Sequence, residues 1–307
     1  MNWIQFFDFL YKLLTRREQD TLRQIRREYE AIVKDLIGDL GNIYNRIGAD
    51  GKLSYADIVS FREIKRFQQQ ATAQANRLGK YNREVIQKLL NDSYDLSYGW
   101  MSFAVEKAVD ITLLNAMPSL PEQILLNRNN LIDKLVLDAS LERSRAKITV
   151  GIQDAIEKGL INGSDFKQMA ADIQRVFEMD YNRALTIAET EVHRVREQAS
   201  NDSAQNASRQ GVEMEKVWSN VGDERVRKTS KANHREVHGQ RKKLNEPFEL
   251  KNNVLAQMPG ASGTPYNDIR CRCYARYEVV GIKTIGVADG QQALTRQFNS
   301  WKQRKTQ

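Results

Sequence analysis

The sequence predicts an α+β protein, a long and mainly helical N-terminal region followed by a small C-terminal α+β domain. Three observations carry this expectation. Apolar residues recur at steps of three and four over most of the first 209 positions, which is the periodicity of a helix with one buried stripe. No strand-like alternation of useful length interrupts them. Beyond position 211 the texture changes to short alternating runs, basic residues and a loop rich in Pro, Gly, Asn and Ser.

The opening segment, residues 1–16, reads as an amphipathic helix with Trp3, Ile4, Phe7, Leu10, Leu13 and Leu14 at helical spacing. It is not a signal peptide, because it lacks a basic leader and a small-residue cleavage site and carries Asp8 within its apolar run. Its stripe packs on its own protein or docks on a partner. No stretch approaches the roughly 20 apolar residues of a membrane span.

Residues 17–180 read as a helical scaffold. Leu22, Ile25, Tyr29, Ile32, Leu36, Leu40, Ile43 and Ile47 mark its first stripe, a rod of roughly 45 Å at about 1.5 Å per residue. A turn is expected at Asp50–Gly51, with Ser54 capping the next helix. Helical pattern resumes over about 54–116 with interruptions expected at Gly79 and near Gly99, and Pro118 and Pro121 punctuate the chain. A further helix follows over about 122–159. KGLINGSDF then ends it, with glycine beyond the end and Ser164 as the next cap. Two more helices run to about 209. Such helices must bury their stripes on one another or on a partner.

After 211, VEMEKVWSNV alternates as a half-buried strand does, with Val212, Met214, Lys216 and Trp218 on one side and Val217 on the other. Lys216 is the misfit on the mostly apolar side. CRCYARYEVVGI reads as a second strand. Residues 282–307 are polar and are expected to form a flexible tail.

Charge is unevenly placed. Residues 1–200 hold 28 Lys+Arg against 28 Asp+Glu, and residues 201–307 hold 19 against 11. Eight basic residues (Arg225, Arg227, Lys228, Lys231, Arg235, Arg241, Lys242 and Lys243) crowd positions 225–243, with Glu236 the one acid among them. Such a cluster attracts polyanions and is expected to contact nucleic acid through phosphate. A solvated face with no partner is the alternative.

The three histidines and two cysteines all lie between His193 and Cys273. His234 and His238, four apart, share a face if helical. Cys271 and Cys273, two apart, share a face if extended. Together they form either a Cys2His2 set for one structural zinc or an ordinary small core in which cysteine packs as an apolar residue. C-x-C is too short for a zinc finger. Arg235 and Val237 stand where the metalloprotease motifs need glutamate. Cysteine–histidine catalysis lacks a recognisable orienting group. No catalytic or cofactor-binding residue is expected, and two cysteines do not suggest a disulfide framework, so an intracellular setting is expected.

RALTIAETEVHR (183–194), VWSNVGDERVR (217–227), HREVHGQ (234–240), NEPF (245–248) and IRCRC (269–273) together resemble the Mu F-like family of phage minor head, or head-morphogenesis, proteins. Glu191, Trp218, Asp223, Arg225, Arg227, His234, His238, Gly239, Cys271 and Cys273 fill the places of the family pattern. The resemblance places a Mu F-like α+β domain at 181–281. It implies a non-enzymatic protein inside the capsid near the portal vertex, present in the host cytoplasm during assembly. The implied role is head assembly and genome packaging or ejection. Its partners would be the portal protein, packaged double-stranded DNA, and scaffolding or major capsid protein, with no membrane. The alternative function is a metal-dependent hydrolase or nuclease centred on His234, His238, Cys271 and Cys273.

Overall fold

A computed structural model describes residues 3–47, 62–109, 113, 134–280 and 291–305. Four long helices come first: α1 (Trp3–Ile47), α2 (Arg62–Val109), α3 (Lys134–Ile161) and α4 (Phe166–Arg209). The small elements follow: β1 (Met214–Ser219), the single-turn α5 (His234–Val237), β2 (Arg241–Lys243), β3 (Phe248–Glu249), β4 (Leu255–Ala256), α6 (Pro265–Asp268) and β5 (Tyr274–Val279). A last helix, α7, spans Gln291–Lys305. The fold class is α+β, as the sequence predicts. The turn expected at Asp50–Gly51, the cap at Ser54 and the breaks at Pro118 and Pro121 lie outside the described residues.

The helices are longer than their glycines suggest. The helix α2 runs unbroken through Gly79 and Gly99. A Cβ on Gly79 would stand 3.1 Å from Cδ of Arg145, so the glycine lets the α3 side chain pass close to the α2 backbone. The end of α3 follows expectation. Gly163 adopts φ +63°, and Gly163 and Ser164 donate their N–H groups back to Leu160 and Gly159, the bonding of a Schellman end. The next cap is Asp165 rather than Ser164: the Gln168 N–H donates to Asp165 Oδ1 at 2.8 Å, while Ser164 is still satisfying the helix before it. Beyond it α4 is one helix of 44 residues where two were expected, and it closes the same way at Gly211, φ +94°.

The chain divides into two compact units, residues 1–18, 88–134 and 189–307 in one, and 19–87 and 135–188 in the other. The second unit is a helical core. Its stripe of Ile25, Tyr29, Ile32, Leu36, Leu40 and Ile43 is buried. At its centre Asp180 accepts hydrogen bonds from the hydroxyls of Tyr29 (2.6 Å) and Ser144, and Asn82 Nδ2 donates to the Tyr29 hydroxyl at 2.8 Å. Gly151 leaves room for Val176, whose Cγ1 would lie 2.9 Å from a Cβ there.

The first unit holds two antiparallel sheets, one ordered β2-β1-β5 and the other β3-β4. Around them gather the N-terminal residues of α1, the end of α2 and α7. Phe6, Phe7, Phe9, Leu10 and Leu14 are buried, whereas Ile4, expected inside, is half exposed. The expected polar tail is therefore corrected. Leu294, Phe298 and Trp301, spaced four and three apart, are buried as one face of α7. The rings of Phe298 and Trp100 stack with centroids 4.0 Å apart at 8°. Three apolar side chains among polar ones leave little periodic signal in the sequence.

Candidate functional site

Sheet topology assembles the site. Antiparallel pairing sets Ser219, at the end of β1, against Tyr274 at the start of β5, and Val217 against Arg241 at the start of β2. The segments that lead into β2 and β5 therefore meet at one end of the sheet. One of them carries α5, and the other carries the cysteines.

Asn233 caps α5, its side chain accepting from the Arg235 N–H at 3.2 Å. The helix lasts one turn. His238 is its C-cap with extended ψ of 128°, and Gly239 takes φ +86° while donating its N–H to the Trp218 carbonyl at 2.8 Å. The two histidines consequently never share a helical face. His234 turns inward. His238 is exposed, and its Nδ1 accepts from the Asn220 N–H at 3.1 Å. This removes His238 from the expected ligand set.

Nδ1 of His234 stands 3.6 Å from Sγ of Cys271 and 3.5 Å from Sγ of Cys273. The cysteines lie just before β5 rather than within it, and the Cys271 N–H donates to the Asp268 carbonyl at 3.1 Å. All three side chains are 2% exposed, and neither thiol is in a disulfide. On the far side of the ring, His234 Nε2 lies 3.0 Å from Oδ1 of Asn267, whose Nδ2 donates to Thr264 Oγ1 at 2.8 Å. That bond turns the amide oxygen toward the ring, so Nε2 carries the imidazole proton and Nδ1 presents its lone pair to the sulfurs. Trp218 packs edge-on against the ring at 5.4 Å.

A residue outside the expected set completes the neighbourhood. His193, on α4, is buried against Cys271, and its Nε2 has no hydrogen-bond partner among the described residues. Burial pulls its pKa down, but the neighbouring Cys271 and Glu197 raise it overall. The hydrogen bond from Cys273 holds the Cys271 thiol well below its ordinary range, and the same bond pushes Cys273 up. Burial raises Glu197, one turn beyond His193, to about 7, although the Ala275 N–H donates to its Oε2 at 2.8 Å.

The basic cluster divides into two groups. Arg241 pairs with Glu215 and Glu278, both at 2.8 Å, and Lys242 with Glu249 at 2.6 Å. Arg227 donates to the Ile269 carbonyl and Arg235 to the Asp223 carbonyl. Lys228, Lys231 and Lys243 are exposed and form no salt bridge among the described residues, and exposed Arg225 sits beside Asp223. Lys216, the misfit of β1, is buried. Its Nζ donates to the Gln257 carbonyl at 2.7 Å and lies 5.1 Å from the Phe248 ring centroid.

No described helix is long and apolar enough to cross a membrane. Residues 150–276 match the family model described as Phage Mu protein F like protein. The chain is 23% identical over 303 residues to the minor head protein GP7 of Bacillus phage SPP1, covering 97% of this chain and 95% of that protein. It is also 26% identical over 205 residues to the NAD(+)--arginine ADP-ribosyltransferase EFV of Enterococcus faecalis, covering 66% of this chain but 41% of that protein. No solved structure matches. The matched segment contains Trp218, His234, Gly239, Cys271 and Cys273, residues that carry the resemblance, and together with the full-length likeness to a minor head protein it supports a Mu F-like phage head protein.

Proposed function

We propose that this head protein acts at the portal vertex, inside the capsid, in head assembly and in genome packaging or delivery, and that it touches packaged double-stranded DNA without reading its sequence. The observation that carries the reading is the likeness to a minor head protein over nearly the whole of both chains. One structural fact supports it, and a second limits where the portal would dock. The exposed Lys228, Lys231 and Lys243, which form no salt bridge among the described residues, supply positive charge suited to phosphate. The aromatic face of the N-terminus is already covered by Trp100 and its neighbours, so portal docking falls to another surface.

The role is structural rather than catalytic. The burial of His234, Cys271 and Cys273, each 2% exposed, favours a structural role over the metal-dependent hydrolase or nuclease. A second reading comes from the likeness to part of an arginine ADP-ribosyltransferase, and it requires NAD(+) turnover.

Co-purification of the full chain with the portal protein, alongside an NAD(+) consumption assay, tests these readings. Portal binding without turnover is the expected result. Turnover with no portal binding would overturn it.

A further inference from the structure

We propose that His193, His234, Cys271 and Cys273 bind one zinc ion that ties α4 to the loop entering β5. The site stands independently of the function proposed above.

Bonds of about 2.0–2.1 Å to nitrogen and about 2.3 Å to sulfur, at a tetrahedral angle, set N and S roughly 3.6 Å apart. The observed separations from His234 Nδ1 are 3.6 and 3.5 Å, and the three ligand atoms lie within 4.8 Å of one another. Hydrogen bonding alone satisfies this group poorly. Nδ1 offers one lone pair, and two sulfurs stand equally close to it. A metal at the centre uses all three atoms at once. The Asn267 oxygen on Nε2, itself fixed by Thr264, is the orienting partner that ligating histidines use.

The fourth ligand is His193. It is buried against Cys271, and its Nε2 lacks a partner. His193 lies outside the compact set of three, so its imidazole must swing inward as the ion binds. His238 is held away by Asn220. Both thiols bind as thiolates and release their protons to solvent. Four protein ligands and a closed shell make the site structural.

The test is elemental analysis of the full-length chain expressed with zinc, beside Cys271→Ser, His193→Gln and His238→Ala variants. The expected result is about one zinc per chain, retained in His238→Ala and reduced at least about tenfold in the other two. Full retention in His193→Gln, or folded wild-type protein without zinc, would overturn the proposal. If Cys271→Ser does not fold, cobalt(II) added to the wild-type protein decides. Intense tetrahedral d–d bands with thiolate charge transfer support the site, and the weak bands of six-coordinate cobalt refute it.

Discussion

His234 Nδ1 and Cys273 Sγ stand 3.5 Å apart although 39 residues separate them in the chain. The contact exists because β1 pairs on both sides and draws the approaches to β2 and β5 to one end of the sheet. Its removal should therefore loosen the small domain. His234→Ala deletes a buried ring and strands two thiols and the Asn267 amide, at a cost of about 2–4 kcal/mol. His238→Ala removes one exposed hydrogen bond and should cost about 1 kcal/mol or less. Urea unfolding of both variants measures the difference, and equal costs would contradict the placement of the two histidines.

The stack of Phe298 on Trp100 makes the C-terminal helix part of the first unit's core. Phe298→Ala should destabilise the protein by about 3–5 kcal/mol, the usual range for a buried phenylalanine. A change within about 0.5 kcal/mol on thermal or urea unfolding would mean that α7 is dispensable.

Burial pulls Lys216 to about 8, below its ordinary 10.5. Below pH 8 both folded and unfolded chains hold the proton and the full penalty applies. Between about 8 and 10.5 the unfolded chain holds a proton that the folded chain lacks, so the residue's contribution to stability rises with pH. Lys216→Met should abolish that rise. Unfolding free energies of both proteins at several pH values across the window give the difference directly, and parallel curves would refute the assignment.

Lys228, Lys231 and Lys243 form no salt bridge among the described residues, whereas Arg241 and Lys242 are held by carboxylates. If the first three meet phosphate, replacing all three by alanine should reduce the slope of log affinity against log salt by about 2.7 on duplex DNA. The loss should be the same for unrelated sequences. The Lys242→Ala change should leave the slope nearly intact. Filter binding or fluorescence anisotropy over a salt series distinguishes these outcomes.

Much of this architecture is legible in the sequence because helical stripes and glycine ends are local signals. The stripe from Ile25 to Ile43 and the stops at Gly163 and Gly211 follow from spacing and backbone conformation alone. Gly79 and Gly99 misled because glycine weakens an isolated helix, yet α2 continues unbroken through both. The misfit of Lys216 in an apolar strand face was a true sign, since the residue is buried.

Of the four proposed ligands, the sequence singles out three, which the structure brings together. His234, Cys271 and Cys273 follow from the motif, but the four-residue spacing to His238 presumed a helix that Gly239 ends after one turn. His193 lies in the RALTIAETEVHR stretch of the family resemblance, but nothing local marks it as a neighbour of the cysteines. What brings it in is the tertiary packing of α4 on the sheet, which no local pattern records.

The most direct test of the functional account is the protein composition of purified phage heads, by quantitative mass spectrometry before and after DNA filling. The account predicts this chain inside the particle in far fewer copies than the shell protein, and retained with the portal when the shell is stripped away. Absence from the heads, or a copy number matching the shell, would contradict it.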